Sequence, residues 1–310
     1  MNRILVIRGA AIGDFVLTLP AIKLLRDAWP NARLEVIGYK HIVVLAENRC
    51  YADATRSIEY GPLASFFAKG ADLPTELAEY FASFDLIVSY LFDPDQVFAA
   101  NLRRCGNMRL VVGPAKLSAD AHARVQLAAP ARQLGLTNDL TPTRLFPSDA
   151  DHASAALLLP PKARTLIALH PGSGSSTKNW PVTNWIALIH RLAASEDIKL
   201  VVIGGEADAT QIAQLRDACA PFSLTFVLDQ PLNVVAAVLS RCDAFIGHDS
   251  GISHSAAAAG TQCVLLFGPT EPTVWAPIGP NVQVIRPTTG LPSDIPVDKV
   301  VDAARRLLTS

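Results

Sequence analysis

From residue 165 to residue 266, short apolar runs alternate with stretches of helical period, and this rhythm constrains the fold more than any other feature of the chain. The runs at 165–169, 199–203, 224–227, 243–246 and 262–266 are rich in Val, Ile and Leu and read as buried strands. Helical stretches at 182–195, 207–219, 231–241 and 252–259 separate them. Parallel neighbours need a crossover of about that length, so the pattern predicts a parallel sheet covered on both faces by helices. The earlier part of the chain repeats the rhythm less regularly. Strands are predicted there at 3–7, 34–37, 85–91 and 109–112, and helices at 15–28, 41–48 and 95–105. Trp29-Pro30-Asn31 stops the first of these helices.

A length of 310 residues is large for one core and suits two α/β domains. The predicted domains are 1–150 and 151–310, with a linker from Thr141 to Arg164 that holds Pro142, Pro147 and the Pro160-Pro161 pair. Val297–Leu308 reads as a closing amphipathic helix. Residues 61–82, with Phe66, Phe67, Phe81 and Pro74 in no clean period, read as a mobile loop-helix facing a substrate.

In open parallel sheets, ligands gather beyond the carboxyl ends of the strands. Three polar loops fall at such places: the turn through Asp14 after the first strand, the Gly-Ser-rich loop from His170 to Pro181, and the turn His248-Asp249-Ser250-Gly251. The last of these precedes a helix whose unpaired N–H groups favour an anion such as phosphate, with Ser250 and Ser253 as hydroxyl donors and His254 one turn inside. A plain helix cap at Asp249 or Ser250 is the competing reading.

Composition excludes several classes. Half the residues are hydrophobic, and 27 Lys and Arg stand against 28 Asp and Glu for a net charge of −1, so the chain carries no general nucleic-acid signature. Arg103, Arg104 and Arg109 form the densest basic cluster, read equally well as an anion site or a solvated helix end. The five cysteines, Cys50, Cys105, Cys219, Cys242 and Cys263, lack C-x-x-C spacing and predict reduced thiols rather than a disulfide framework or a zinc site. No apolar run approaches the ~20 residues that span a bilayer, and the N-terminus shows no signal-peptide pattern. A cytoplasmic location is therefore expected.

Together the three loops resemble glycosyltransferase family 9, the ADP-heptose:lipopolysaccharide heptosyltransferases and their relatives. The opening I-R-x-x-x-x-G-D-x-x-x-x-x-P pattern is carried by Ile7, Arg8, Gly13, Asp14 and Pro20. H-P-G-S-G-S followed by K-N-W-P runs from His170 to Pro181, and D-S-G-I-S-H with F-G-P-T-E-P runs from Asp249 to Pro272. The resemblance touches little of 41–150. It implies a GT-B fold, two Rossmann-like domains with parallel sheets facing a central cleft, the acceptor in the first and the nucleotide-sugar donor in the second. It also implies inverting transfer of heptose or a related sugar from an ADP-sugar to a lipopolysaccharide-core or similar glycan. No metal and no cofactor are implied. A glycan or glycolipid acceptor is compatible with peripheral association at the inner face of the cytoplasmic membrane.

The resemblance assigns catalytic roles to Asp14 and Lys178. Asp14 is the expected general base, a carboxylate kept ionised by a helix start; an N-cap is the structural alternative. Lys178 is expected to neutralise charge on the departing diphosphate. Ser173, Gly174, Asp249, Ser250, Gly251 and His254 are the expected donor site, with Asp249 holding sugar hydroxyls or orienting Lys178 and Trp180 packing the loop. Glu206 follows the strand-end glycines Gly204 and Gly205 and suits ribose hydroxyls. Gly9 and Gly13 would let an acceptor approach the backbone; their G-x-x-x-G-D spacing is not the G-x-G-x-x-G of a dinucleotide site. Asp93-Pro94-Asp95 could share a divalent ion, but it is also ordinary strand-to-helix turn chemistry. Rival readings are a nucleotide-sugar epimerase or hydrolase on the same scaffold, and a non-catalytic two-lobed nucleotide-sugar-binding protein.

Overall fold

The computed structural model describes residues 1–137, 140–160 and 164–309. The chain divides into two compact units, Met1–Thr141 and Pro142–Ser310. The division precedes the boundary expected at residue 150, because the predicted linker contains a helix that belongs to the second unit. Within it, the helix Asp149–Leu158 starts on a capping box formed by Ser148 and Asp151. Asn233, from the helix Leu232–Leu239, donates to Asp151 and ties this helix into the second unit. Pro161 of the expected linker, with Lys162 and Ala163, lies outside the described residues.

The first unit is built on strands β1 (Arg3–Ile7), β2 (Arg33–Gly38), β3 (Ala54–Ser57), β4 (Leu86–Ser89) and β5 (Arg109–Val112). All pairings are parallel, in the order β3-β2-β1-β4-β5. The central strand β1 is continuously apolar because helices cover both faces of the sheet, and Ile4, Leu5, Val6 and Ile7 are fully buried. Sequence reading missed β3, an edge strand of sequence Ala-Thr-Arg-Ser with no apolar alternation to reveal it. The first helix spans Ile12–Ala28 rather than beginning at residue 15. Its N-cap, Ala11, has no side-chain acceptor, so no capping residue marks the start. Residues 61–82 have more regular structure than a loop-helix. They form a 3-10 turn, Gly61–Phe67, and a helix, Thr75–Ala82, whose Phe66 and Phe81 are buried against Phe98.

The second unit carries β6 (Thr165–His170), β7 (Ile198–Gly204), β8 (Leu224–Leu228), β9 (Ala244–His248), β10 (Gln262–Leu266) and β11 (Val282–Ile285). Their order is β11-β10-β9-β6-β7-β8, again all parallel. The edge strand β11 was not predicted. The helix Val297–Thr309 closes this unit as expected, seating Val300, Val301, Ala303 and Ala304 in its core.

Strand order sets where each sheet opens a crevice. Leaving β6, the chain moves outward through β7 and β8, then returns to the opposite side as β9. The crevice at the carboxyl ends of β6 and β9 is therefore a topological switch point. In the first sheet the equivalent place lies between β1 and β4. The sequence motifs sit at these two places.

Candidate active site

Two buried histidines organise the switch point of the second unit. His248 ends β9, and its Nε2 accepts a 2.8 Å hydrogen bond from the Trp180 backbone N–H. With that nitrogen an acceptor, the proton lies on Nδ1, 3.2 Å from the Gly172 carbonyl oxygen it donates to. Burial pushes the His248 pKa down to about 3, so the ring is neutral at physiological pH. Its ring also meets Trp185 edge-on, with centroids 5.4 Å apart. One neutral imidazole thus pins both ends of the Gly-Ser loop to the sheet.

His170, the last residue of β6, bridges the other two strand ends. Its Nε2 lies 3.4 Å from Asp208 Oδ2, and its Nδ1 lies 3.4 Å from Ser250 Oγ. Asp208 also accepts from the Gly205 N–H at 3.0 Å. Burial pushes its carboxyl up, but the His170 bond and charge and the Gly205 N–H outweigh burial and hold it below the usual range. Gly172 is indispensable to this packing, since a Cβ there would lie 1.5 Å from Asp208 Oδ1. Gly174 has φ +73° with open space around it, so glycine relieves backbone strain there and leaves the loop surface bare.

Lys178 stands at the end of this loop. Its Nζ lies 2.7 Å from Asp249 Oδ2, and the same oxygen accepts from Thr270 Oγ1 at 2.8 Å. Asp249 is buried whereas Lys178 is partly exposed, so the carboxylate fixes a cation that still reaches solvent. Ser250 is the N-cap of the helix Gly251–Ala258, accepting from Ser253 N–H at 3.3 Å. Ser253 in turn donates to the His248 carbonyl. The Ser173 hydroxyl is engaged inside the loop, 2.6 Å from Asn179 Oδ1 and 2.8 Å from the Ser175 carbonyl. His254 is buried one turn into the helix. Glu206 is exposed at the end of β7. Trp180 packs the loop as expected, buried against Trp185 with its Nε1 donating to the Ile295 carbonyl at 3.0 Å.

The first unit presents a sparser arrangement. Asp14 is not an N-cap, since Ala11 holds that position and Asp14 lies in the first turn. Its carboxylate is about one-third exposed (36 %), and Oδ1 is 3.7 Å from Arg8 Nη2. Arg8 is buried over the Tyr90 ring at 5.6 Å, and its Nε has no hydrogen-bond partner. Burial lowers the Arg8 pKa, with Asp14 and Tyr90 opposing. Gly9 is tightly met, because a Cβ there would come 2.8 Å from the Ile58 side chain. Gly13 lies inside the first turn of the helix. Asp93 spends its carboxylate on the helix Val97–Cys105, accepting from Phe98 N–H at 3.2 Å and Ala99 N–H at 2.9 Å. Arg104 bonds the Ala71 carbonyl and Asn101, and Arg109 reaches the Gln133 carbonyl.

Sequence reading gave no role to His170, His248, Asp208 or Thr270. His170, His248 and Thr270 lay inside or beside the motifs, so position alone was the signal. Asp208 was hidden by its neighbour: Glu206 and Asp208 both look like acids at a helix start, and only the fold buries one of them.

A parallel α/β pair of Rossmann-like units, each with polar residues at its switch point, defines a protein of the GT-B class. The model of glycosyltransferase family 9 (heptosyltransferase) matches residues 115–294, more than half of the chain. The chain belongs to that family. It is 24 % identical to lipopolysaccharide heptosyltransferase 3 of Escherichia coli over 312 residues, covering 87 % of this chain and 84 % of the relative. With lipopolysaccharide heptosyltransferase 2 of Salmonella typhimurium it shares 29 % identity over 132 residues, 41 % of this chain but only 38 % of the relative. The solved E. coli ADP-heptose lipopolysaccharide heptosyltransferase II superposes with a TM-score of 0.80 at 20 % identity, covering 100 % of this chain and 99 % of that one.

Proposed function

We propose that this chain is an inverting glycosyltransferase that moves heptose from ADP-heptose to a lipopolysaccharide-core or similar glycan acceptor. The observation that carries the reading is the Lys178–Asp249–Thr270 contact at the second unit's switch point, a cation fixed before any ligand arrives. The heptosyltransferase relatives supply the sugar, and the ADP-heptose enzyme of E. coli supplies the donor.

In this mechanism the acceptor hydroxyl attacks the anomeric carbon on the face opposite the diphosphate, and Asp14 takes its proton. A positioned base of this kind contributes roughly 10²–10⁴-fold. The C–O bond to the diphosphate breaks as the new one forms, and Lys178 offsets the charge that develops on the leaving group. Amides of Gly174 and Gly251 add hydrogen bonds to it. Because the Ser173 and Ser250 hydroxyls are engaged with protein partners, they act by shaping the loop and the helix cap. Asp249 Oδ1 is left for a sugar hydroxyl, His254 supports the turn, and Glu206 receives the ribose. Gly9 and Gly13 keep the β1 turn low enough for an acceptor. Lys178 and the helix N-terminus take the part a divalent cation plays elsewhere, so no metal or cofactor enters.

The test is to incubate the protein with ADP-heptose and deacylated core oligosaccharide in excess EDTA. ADP release with a new heptosidic linkage of inverted configuration is expected. ADP or heptose formed without an acceptor product would favour the hydrolase reading. Activity lost in EDTA and restored by a divalent ion would overturn metal independence.

A further inference from the structure

The two buried histidines at the second unit's switch point differ in what a second proton on the ring would disturb. His248 has no place for one, since its Nε2 accepts the Trp180 N–H and its Nδ1 donates to the Gly172 carbonyl. Protonating Nε2 would leave a buried backbone N–H without an acceptor. Burial already pushes the His248 pKa down to about 3.

His170 is arranged the other way. Both of its ring nitrogens face oxygen, Nε2 at 3.4 Å from Asp208 Oδ2 and Nδ1 at 3.4 Å from Ser250 Oγ. A carboxylate and a hydroxyl oxygen can each accept an N–H. Burial pushes the Asp208 carboxyl up, yet the His170 bond and charge hold it below its usual range, so it remains the anion facing the ring.

The hydrogen bonds beyond Ser250 accommodate either state of the ring. With His170 neutral, Nε2–H donates to Asp208, the Ser250 hydroxyl donates to Nδ1, and Ser250 Oγ accepts from the Ser253 N–H at 3.3 Å. With His170 doubly protonated, Nδ1–H donates to Ser250 Oγ, and the Ser250 hydrogen turns to Ser253 Oγ, 3.2 Å away. Ser253 Oγ can accept it, because its own hydrogen goes to the His248 carbonyl. No buried N–H or O–H loses its acceptor in either state, and Ser250 remains the helix cap in both.

Burial opposes a charged imidazole, and a nearby anion favours it. In the reading above, the donor diphosphate sits at the N-terminus of the helix Gly251–Ala258, whose cap, Ser250, is the residue that His170 touches. We infer that His170 takes a proton from solvent when a nucleotide-sugar diphosphate binds, passing from imidazole to imidazolium, so that the donor site gains a second cation only while it is occupied. The inference rests on that donor reading. The new charge lies behind Ser250, so His170 is a positioning residue that supplements Lys178 as the leaving group gathers charge. The other ionisable groups at this switch point are Lys178 and Asp249, paired with each other, His248, fixed neutral, exposed Glu206, and His254, buried one turn into the helix.

The experiment is calorimetric titration of the full chain with ADP-heptose, without acceptor, in two buffers of unlike ionisation enthalpy at one pH. ADP-heptose is the probe because its diphosphate is esterified at both ends and keeps a constant charge over roughly pH 5–8, whereas the terminal phosphate of ADP titrates there. The difference in heat between buffers counts protons, and uptake of up to about one proton per ligand is expected. Affinity should rise as pH falls through the same interval, where histidines generally change charge, by at most about tenfold per pH unit. His170→Gln should bind without uptake and with a flat pH profile, and Asp208→Asn should lower the uptake, whereas His254→Gln should keep it. Nitrogen-15 spectra of the unaltered protein, labelled at histidine, need no variant: at the pH of greatest uptake the His170 ring should carry one N–H when free and two when loaded. Two protons on the free ring, one on the loaded ring, or uptake that survives in His170→Gln would each overturn the inference. Uptake in a chain that transfers no heptose would sink the transferase reading and leave His170 standing. Transfer without uptake would do the reverse, and failure of ADP-heptose to bind would remove both.

Discussion

At the carboxyl edge of the second sheet the polar groups are already partnered, whereas at the edge of the first they wait. His248 uses both ring nitrogens, and one oxygen of Asp249 serves both Lys178 and Thr270. In the first unit Asp14 makes one long ion pair at 3.7 Å, and Arg8 is buried with an unpartnered Nε. The contrast fits two different tasks. A group that stabilises charge works best when fixed beforehand, because no reorganisation is then needed during reaction. A base must keep its lone pairs open to the incoming proton, so it cannot be saturated by the fold.

The largest effect expected from this contrast is at Asp14. Asp14→Asn keeps shape and fold, and transfer should drop by roughly 10²–10⁴-fold while ADP affinity stays unchanged. Single-turnover rates and ADP titration on one preparation decide it. A variant that is less stable yet fully active would make Asp14 a structural residue.

Lys178→Ala comes next. It removes one preorganised charge, and losing a single such donor costs on the order of 10²–10³ in rate. Unlike Asp14→Asn, it should also weaken ADP binding, and it leaves Asp249 buried beside Thr270 without its cation. Unchanged ADP affinity and turnover would show that the ion pair is only a loop fastening.

The third expectation concerns pH, where the two edges should again separate. His248 is neutral in the folded protein with a pKa of about 3, against an ordinary value of 6.5. Below pH 6.5 the unfolded chain binds a proton that the folded chain refuses, so stability falls as pH drops toward about 3. The slope from this one group approaches about 1.4 kcal/mol per pH unit in the middle of that window. Asp208, held below its ordinary value, adds to the loss only at the acid end, as pH falls through its folded value. Urea denaturation between pH 7 and pH 4 should show the slope, and His248→Gln, though less stable at pH 7, should flatten it. Equal slopes in the two proteins would mean that His248 is not the group responsible.

How much of this was legible beforehand follows from what each residue signals. The strand-helix rhythm marked the buried parallel strands, because a strand covered on both faces must be continuously apolar. It failed at β3, whose Ala-Thr-Arg-Ser edge position imposes no such demand. The first helix started earlier than expected because Ala11 carries no capping side chain. The phenylalanines of 61–82 showed no period because Phe66 and Phe81 enter the core from a 3-10 turn and a separate short helix, while Phe67 stays exposed. At the site, the glycine and lysine motifs marked the loop. The histidine that pins it, His248, and the acid beneath it, Asp208, became apparent only through burial. Nothing local in the sequence distinguishes buried Asp208 from exposed Glu206 two positions earlier.

The smallest effect expected, and the finest test of the contrast, is at Thr270. Its hydroxyl donates to the Asp249 oxygen that also holds Lys178, and Asp249 is the one element linking the two. Thr270→Val keeps the branched shape and removes one hydrogen bond to a charged acceptor, costing about 1.5–3 kcal/mol at most. A purely structural bond would show that cost in denaturation and leave ADP affinity and transfer rate per folded molecule alone. A bond that helps fix the cation would loosen Asp249 and so Lys178, lowering transfer several-fold with little change in the acceptor KM. Thr270→Ser separates the two, since it restores the donor but not the methyl group: rate should return while part of the packing loss persists. Asp14 has no counterpart to Thr270 among the described residues, so no neighbouring hydroxyl in the first unit should show this pattern. If Thr270→Val transfers as fast as the unaltered protein, preorganisation at the second edge rests on Asp249 alone.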